Sequence, residues 1–156
     1  AWGVKRFVIL SWGGALQPNM NSGDIVIADK AIRDEGVSHH YFPSGKFIHA
    51  DPSLTQKLQS LLASAAIGAT WTTDAPYRET REEILKYQSE GVQAVEMEIA
   101  ALFAVAEHRE VQSAAVIIMA DRLANLKWES PSDMGVINRS FKVAYSAAIQ
   151  ALGEGK

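Results

Sequence analysis

The chain has 156 residues, 47% of them hydrophobic and 21% charged, with a formal net charge of −3 and no cysteine. That length bounds a single domain, residues 1–156, able to bury roughly 70% of its unfolded surface. The composition excludes a disulfide scaffold, a thiolate metal site and a basic nucleic-acid surface, and no apolar run reaches the roughly 18 residues of a membrane span.

The chain opens Ala1-Trp2-Gly3-Val4, with neither an initiator methionine nor a signal peptide, and enters an apolar strand-like run almost at once. This beginning suggests truncation or processing, and a cytoplasmic setting is expected. Phe7 to Leu10 reads as a short buried strand, which Ser11-Trp12-Gly13-Gly14 ends in a glycine turn. Asp24 to Ala28 reads as a second strand. Arg33 to His49 holds three of the four histidines and reads as a long ordered loop or ragged strands. Asp51-Pro52 opens a helix, with Asp as N-cap and Pro at the first helical position. Leu54, Leu58, Leu61, Leu62 and Ala65 form its apolar stripe.

A strand over about Ile67 to Thr73 follows, then a charged surface helix from Arg78 to Gln88 that stops near Gly91. Val92 to Met97 is strand-like, and Ile99 to Ala106 is a buried alanine-rich helix. Ala114 to Met119 is another apolar strand. Ser132 or Asp133 caps a last helix with the stripe Ile137, Phe141, Ala144, Tyr145, Ala148, Ile149 and Leu152. Strands alternate with helices from residue 52 onward, and the strands are apolar without alternation. The expected fold is therefore α/β, with a mostly parallel or mixed central sheet and helices on both faces.

Carboxylates carry the chemical signal. Val95-Glu96-Met97-Glu98 places two of them at alternate positions where an apolar stretch turns into a helix. Asp121 is the third, at the end of the Ala114 to Met119 strand. A carboxylate has two acceptor oxygens, so Glu98 could bind two adjacent hydroxyls such as those of ribose, with Met97 against the sugar face. Equally, Glu96 and Glu98 could be acids at a helix start, favoured there by the dipole. Asp121 could donate a proton to a leaving group beyond a strand end, or pair with Arg122. The glycine turn could present backbone amides to an anion, or be only a turn; it is neither a dinucleotide fingerprint nor a P-loop. The polar stretch Thr72 to Thr80 could line a base-sized pocket with Pro76 and Tyr77, or form the turn before a helix. His39, His40 and His49 lack a metal-ligand pattern, and a surface or hydrogen-bonded role is expected for them. No nucleophile-elbow signature is present.

Taken together, four stretches resemble the nucleoside phosphorylase family of the hexameric, trimer-of-dimers type. They are Gly13-Gly14-Ala15-Leu16 with Gly23-Asp24-Ile25-Val26, Arg33 to Ser38, Thr73-Asp74-Ala75-Pro76-Tyr77, and Val95-Glu96-Met97-Glu98 with Ala120-Asp121. The last is the specific one. The resemblance covers most of this chain but only the C-terminal two-thirds of a family member. It implies cleavage of the N-glycosidic bond of a nucleoside by phosphate as co-substrate, without a metal or organic cofactor. It implies that Glu98, Met97 and Glu96 hold ribose, that Val95, Pro76 and Tyr77 lie near the base, and that Asp121 protonates a purine. Ser11, Trp12 and Gly13 fall where phosphate would be contacted. Arg78 to Glu82 lacks the glutamine that uracil-reading relatives carry, which favours a purine.

The family's N-terminal glycine-rich loop and its arginine precede the region matched here. Ile9 falls near a second phosphate-binding arginine, and Trp12 replaces a small hydroxyl residue. The link from Leu62 to Thr70 is shorter than is usual, so one strand is expected to be clipped. Two rival readings follow: a nucleosidase that uses water, and a non-catalytic nucleoside-binding relative. The family's pockets are completed by a neighbouring subunit, so a homo-oligomer is expected, and the edge left by absent N-terminal strands could drive non-native association. Small-molecule nucleoside and phosphate are the expected partners, with no nucleic acid and no membrane.

Overall fold

The computed structural model describes residues 3–131 and 133–153. The chain start Ala1-Trp2 and the alternative helix cap Ser132 lie outside them. Six strands and four helices alternate: β1 (Arg6–Ala15), β2 (Ile25–Asp34), β3 (Phe47–His49), α1 (Pro52–Leu61), β4 (Ala66–Thr73), α2 (Arg81–Ser89), β5 (Ala94–Glu96), α3 (Ile99–His108), β6 (Gln112–Arg122) and α4 (Met134–Gly153). The sheet is mixed, in the order β3-β2-β4-β5-β1-β6, and a further β2–β6 pairing closes five of its strands on themselves. β1–β6, β2–β4 and β4–β5 are parallel, whereas β1–β5, β2–β3 and β2–β6 are antiparallel. Closure is possible because β2 shifts register at Asp29 and gives its first residues to β6 and its full length to β4.

The non-alternating apolar strands have a direct cause. Along β6, Ala115, Ile117 and Met119 join one core with Phe103 and Ala104 of α3. Ala114, Val116, Ile118 and Ala120 join a second core with α1 and α4. Successive side chains of a strand point to opposite faces, so a strand covered on both must be apolar throughout. A third core joins Ile84 and Tyr87 of α2 to Trp71, Val95 and Leu123. Each large side chain buried completely, such as Phe103 or Leu58, contributes about 1.5–3 kcal/mol.

Local signals set most helix ends. The Asp51 carboxylate accepts from Leu54 N–H at 2.8 Å and caps α1, worth about 1 kcal/mol. Thr80 and Glu83 form a reciprocal capping box at α2, and Gly91, at φ 75°, lets the chain leave that helix. The Asp133 carboxylate accepts from Gly135 N–H at 2.7 Å and Val136 N–H at 3.3 Å at the start of α4.

Several expectations need correction. Ser11 to Gly14 is not a turn but the second half of β1. Glycine is required there by close approach: a Cβ on Gly13 would lie 2.9 Å from the Val95 carbonyl oxygen and 2.7 Å from Ile117, and one on Gly14 would lie 2.6 Å from Leu123. β2 runs on through Arg33, whose buried guanidinium ties down the following segment. It donates to Ser38 Oγ at 2.9 Å and to the Ser44 carbonyl at 2.7 Å. The helix expected from Arg78 starts at Arg81, after a single 3-10 turn over Pro76–Arg78. β4 is eight residues long, so the short link trims a loop and leaves the strand whole. In α4, Ala147 and Ala151 are buried in place of Tyr145 and Ile149, which are exposed, and Leu61 of α1 is exposed too. Among the described residues, no helix is long and apolar enough to cross a membrane.

Candidate active site

Where β1, β5 and β6 end, the barrel opens into a cleft of about 1190 Å³. A pocket for one small ligand is typically about 300–1,000 Å³, so this one has room for a base and a sugar together. Ser11, Trp12 and Gly13 of β1 line it. So do Pro76 and Tyr77 from the 3-10 turn, Val95 and Glu96 from β5, and Met97 and Glu98 from the corner before α3. Asp121 of β6 completes the set, so all ten residues singled out in the sequence meet in one cavity. What joins them is the strand order, which places β5 and β6 on opposite sides of β1.

Glu96 and Glu98 stand two residues apart in different states. Glu96 is buried. Its Oε2 accepts from the backbone N–H of Glu98 at 2.8 Å and of Ile99 at 2.7 Å. Its Oε1 accepts from Thr72 Oγ1 at 2.6 Å and Thr70 Oγ1 at 3.2 Å. Thr72 Oγ1 in turn accepts from Ala100 N–H at 2.9 Å. The first amides of α3 are thus satisfied by side chains of β4 and β5. Burial pushes the Glu96 carboxyl up, against the pull of its four donors. Both oxygens are occupied by these donors, so Glu96 builds the corner on which Glu98 stands. Glu98 is exposed, and its carboxylate has only long contacts, from Ser11 Oγ at 3.4 Å and Met97 N–H at 3.3 Å. It is available to hydroxyls, and Met97 beside it is 45% exposed.

Asp121 is the penultimate residue of β6 and half-buried. Its Oδ2 accepts from the indole N–H of Trp128 at 2.7 Å. The alternative pairing with Arg122 does not form. Neighbouring strand residues face opposite ways, and Arg122 pairs with Glu129 at 3.5 Å and donates to the Pro18 carbonyl at 3.3 Å. The loop that carries Trp128 turns sharply at Leu126, a non-glycine residue at φ 59°, which costs roughly 1–2 kcal/mol. Strain of this kind concentrates at functional loops.

The expected anion-binding glycine turn is absent, because in an extended strand successive N–H groups point in opposite directions and do not converge on an anion. Trp12 packs edge-on against Phe141, with ring centroids 6.2 Å apart. Four carboxylates, Glu79, Glu96, Glu98 and Asp121, line the cleft with one cation, Lys127.

Trp128 escaped the sequence reading, although it had a faint signal, a large aromatic in a polar loop seven residues past Asp121. Glu79 entered that reading only as one member of the polar stretch Thr72 to Thr80, since its inward direction depends on the 3-10 turn. Burial first, and then the charge of Asp121, push the Glu79 carboxyl from 4.5 up to about 7. His39 Nε2 lies 3.2 Å from the Arg33 carbonyl oxygen, in a hydrogen-bonded role. Among the described residues, no group of three or more His, Asp or Glu side chains could hold a metal ion.

The sequence pattern of the Phosphorylase superfamily matches residues 1–151. Purine nucleoside phosphorylases of the DeoD type from Bacillus cereus and Bacillus thuringiensis are each 28% identical over 156 residues, covering 96% of this chain and 66% of theirs. The chain therefore spans 66% of the length of these curated relatives. The solved structure of the P knowlesi homolog of P falciparum PNP superposes with a TM-score of 0.83 at 24% identity, over 98% of this chain and 64% of that one. This last likeness is one of fold.

Proposed function

The chain belongs to the phosphorylase superfamily, and from that premise we propose that its cleft cleaves the N-glycosidic bond of a purine nucleoside. One observation carries the reading: Glu98 and Asp121 face a single cavity, with apolar and aromatic side chains between them. In this reading Glu98 takes two adjacent sugar hydroxyls through its two oxygens, and Met97 covers the sugar face. Val95, Pro76 and Tyr77 border the base. Asp121 lies at the end where the base leaves and supplies acid assistance there, an effect typically worth about 10²–10⁴-fold. No metal or organic cofactor enters this scheme.

Phosphate is the acceptor implied by the names of the curated relatives. The cleft's own charge favours a second reading, in which water takes that place. Lys127 is the one cation lining the cleft, against the carboxylates of Glu98 and Asp121 and the raised carboxyls of Glu79 and Glu96, so no net positive charge draws an anion in, and Trp12 and Phe141 make the neighbouring wall apolar. Base release from inosine, adenosine and uridine, followed with and without phosphate, tests both. Release that requires phosphate supports phosphorolysis, and release without it supports hydrolysis. Binding without release would leave a nucleoside-binding relative and overturn catalysis. We further propose that the chain self-associates, with Val143, Tyr145 and Ile149 exposed on α4 as apolar surface to cover. A monomer by light scattering at micromolar concentration would contradict this.

A further inference from the structure

Building on that nucleoside-cleaving reading, we infer that Glu79 is a second catalytic carboxyl, which holds its proton in the same cleft as Asp121 and delivers it to the leaving base. Pro76, Tyr77, Arg78 and Thr80 are exposed, whereas Glu79 is partly buried and lines the cleft with Pro76 and Tyr77. Among the described residues its carboxyl has no hydrogen-bond donor, while Asp121 Oδ2 receives the Trp128 indole N–H at 2.7 Å. A donor stabilises the ionised form, and burial beside a negative charge destabilises it. Two carboxyls that line one cleft ionise less readily together than apart, so the proton stays on the one without a donor.

The other titratable groups lining the cleft do not reverse this. Glu96 is committed to α3, Glu98 stands beside Ser11, and Tyr77 and Lys127 are exposed. The guanidinium next in sequence to Asp121 is engaged with Glu129 and Pro18. The carboxyl at about 7 is accordingly Glu79, raised by burial and then by Asp121.

The step balances as follows. The bond between the sugar's anomeric carbon and the base nitrogen breaks, and its electron pair stays on the base. The base takes the proton of Glu79. An oxygen of phosphate or water bonds the anomeric carbon and loses its own proton, which restores the carboxyl pair.

Glu79→Gln keeps the shape of the side chain and removes its acid proton. With inosine as substrate, wild-type turnover should fall as pH rises through about 7. At about pH 6 the variant should be slower by roughly 10²-fold and should lack that limb, with inosine affinity changed less than about threefold. If the variant matches the wild-type rate and limb, Glu79 is not the donor, and nucleoside cleavage stands without it. If the wild type cleaves no nucleoside, the reading of the previous subsection fails, and the carboxyl pair is judged by ¹³C NMR titration of Glu79. A midpoint near 7 that falls in Asp121→Asn by the smaller, Coulombic share of its rise, with burial keeping the rest, upholds the pair; a midpoint indifferent to that substitution overturns it.

Discussion

The corner at residues 95–98 and the loop at residues 121–131 form opposite walls of one cleft, and they are built in different ways. The corner is rigid by saturation: Glu96 satisfies two backbone amides and two threonine hydroxyls while buried at 4% exposure. The loop is held by bonds spread along its length, among them the indole N–H on Asp121, the short Arg122–Glu129 bridge and a 2.8 Å turn from Leu126 N–H to the Leu123 carbonyl, rather than by one saturated side chain. One wall positions a group for ground-state binding, and the other carries Asp121, whose carboxylate accepts the Trp128 indole N–H. A carboxylate within a recognised motif can thus be scaffold, while its neighbour two residues on is free to meet a ligand.

This contrast can be broken from either side. The largest effect is expected at Asp121. Asp121→Asn should cut nucleoside turnover by about 10²–10⁴-fold while the unfolding midpoint stays near that of the wild type; an unchanged rate would move the acid elsewhere. Glu96→Ala should act on the opposite property. It orphans two buried amides, each worth about 1–3 kcal/mol, so urea unfolding should report a loss of roughly 2–4 kcal/mol. A loss under about 1 kcal/mol would show that the corner is not held by this side chain. Trp128→Phe removes the donor on Asp121 but keeps the ring. With the ring partly exposed, about 1 kcal/mol is expected, read as a roughly fivefold lower turnover with unchanged sugar affinity.

Glu79 adds a pH signature to the loop wall. Its ordinary value of 4.5 rises to about 7 in the folded chain, so the proton favours the fold. That contribution is complete below about 4.5 and is lost as pH climbs through about 7. Glu79→Gln should flatten this part of the stability profile, and an unaltered slope would count against the burial of its carboxyl.

The two walls also differ in how far the sequence reveals them. Caps are local, so Asp51, Asp133 and the acids before α3 are readable from spacing alone. Whether Glu96 or Glu98 is the capping residue is not, because the choice depends on Thr70 and Thr72 arriving from β4, more than twenty positions earlier. The glycine pair misleads for the same reason. Gly13-Gly14 resembles a turn in sequence, yet glycine is needed there because β5 and Ile117 of β6 approach within 3 Å of where a Cβ would stand. Closure through β2 and β6 is likewise a long-range pairing, and the run of apolar residues in β6 is equally consistent with an open sheet. In α4 the stripe was misjudged because small alanines, rather than Tyr145 and Ile149, fit against α1 and the sheet.

The central claim is that Glu98 and Asp121 serve one ligand that spans both walls. Calorimetric titration of inosine into the wild type and Glu98→Ala tests it most directly. The account predicts measurable binding by the wild type, a loss of about 10–100-fold in the variant for a charged hydrogen-bonding pair worth roughly 1.5–3 kcal/mol, and the same unfolding midpoint for both proteins. Equal affinity in the two would contradict it.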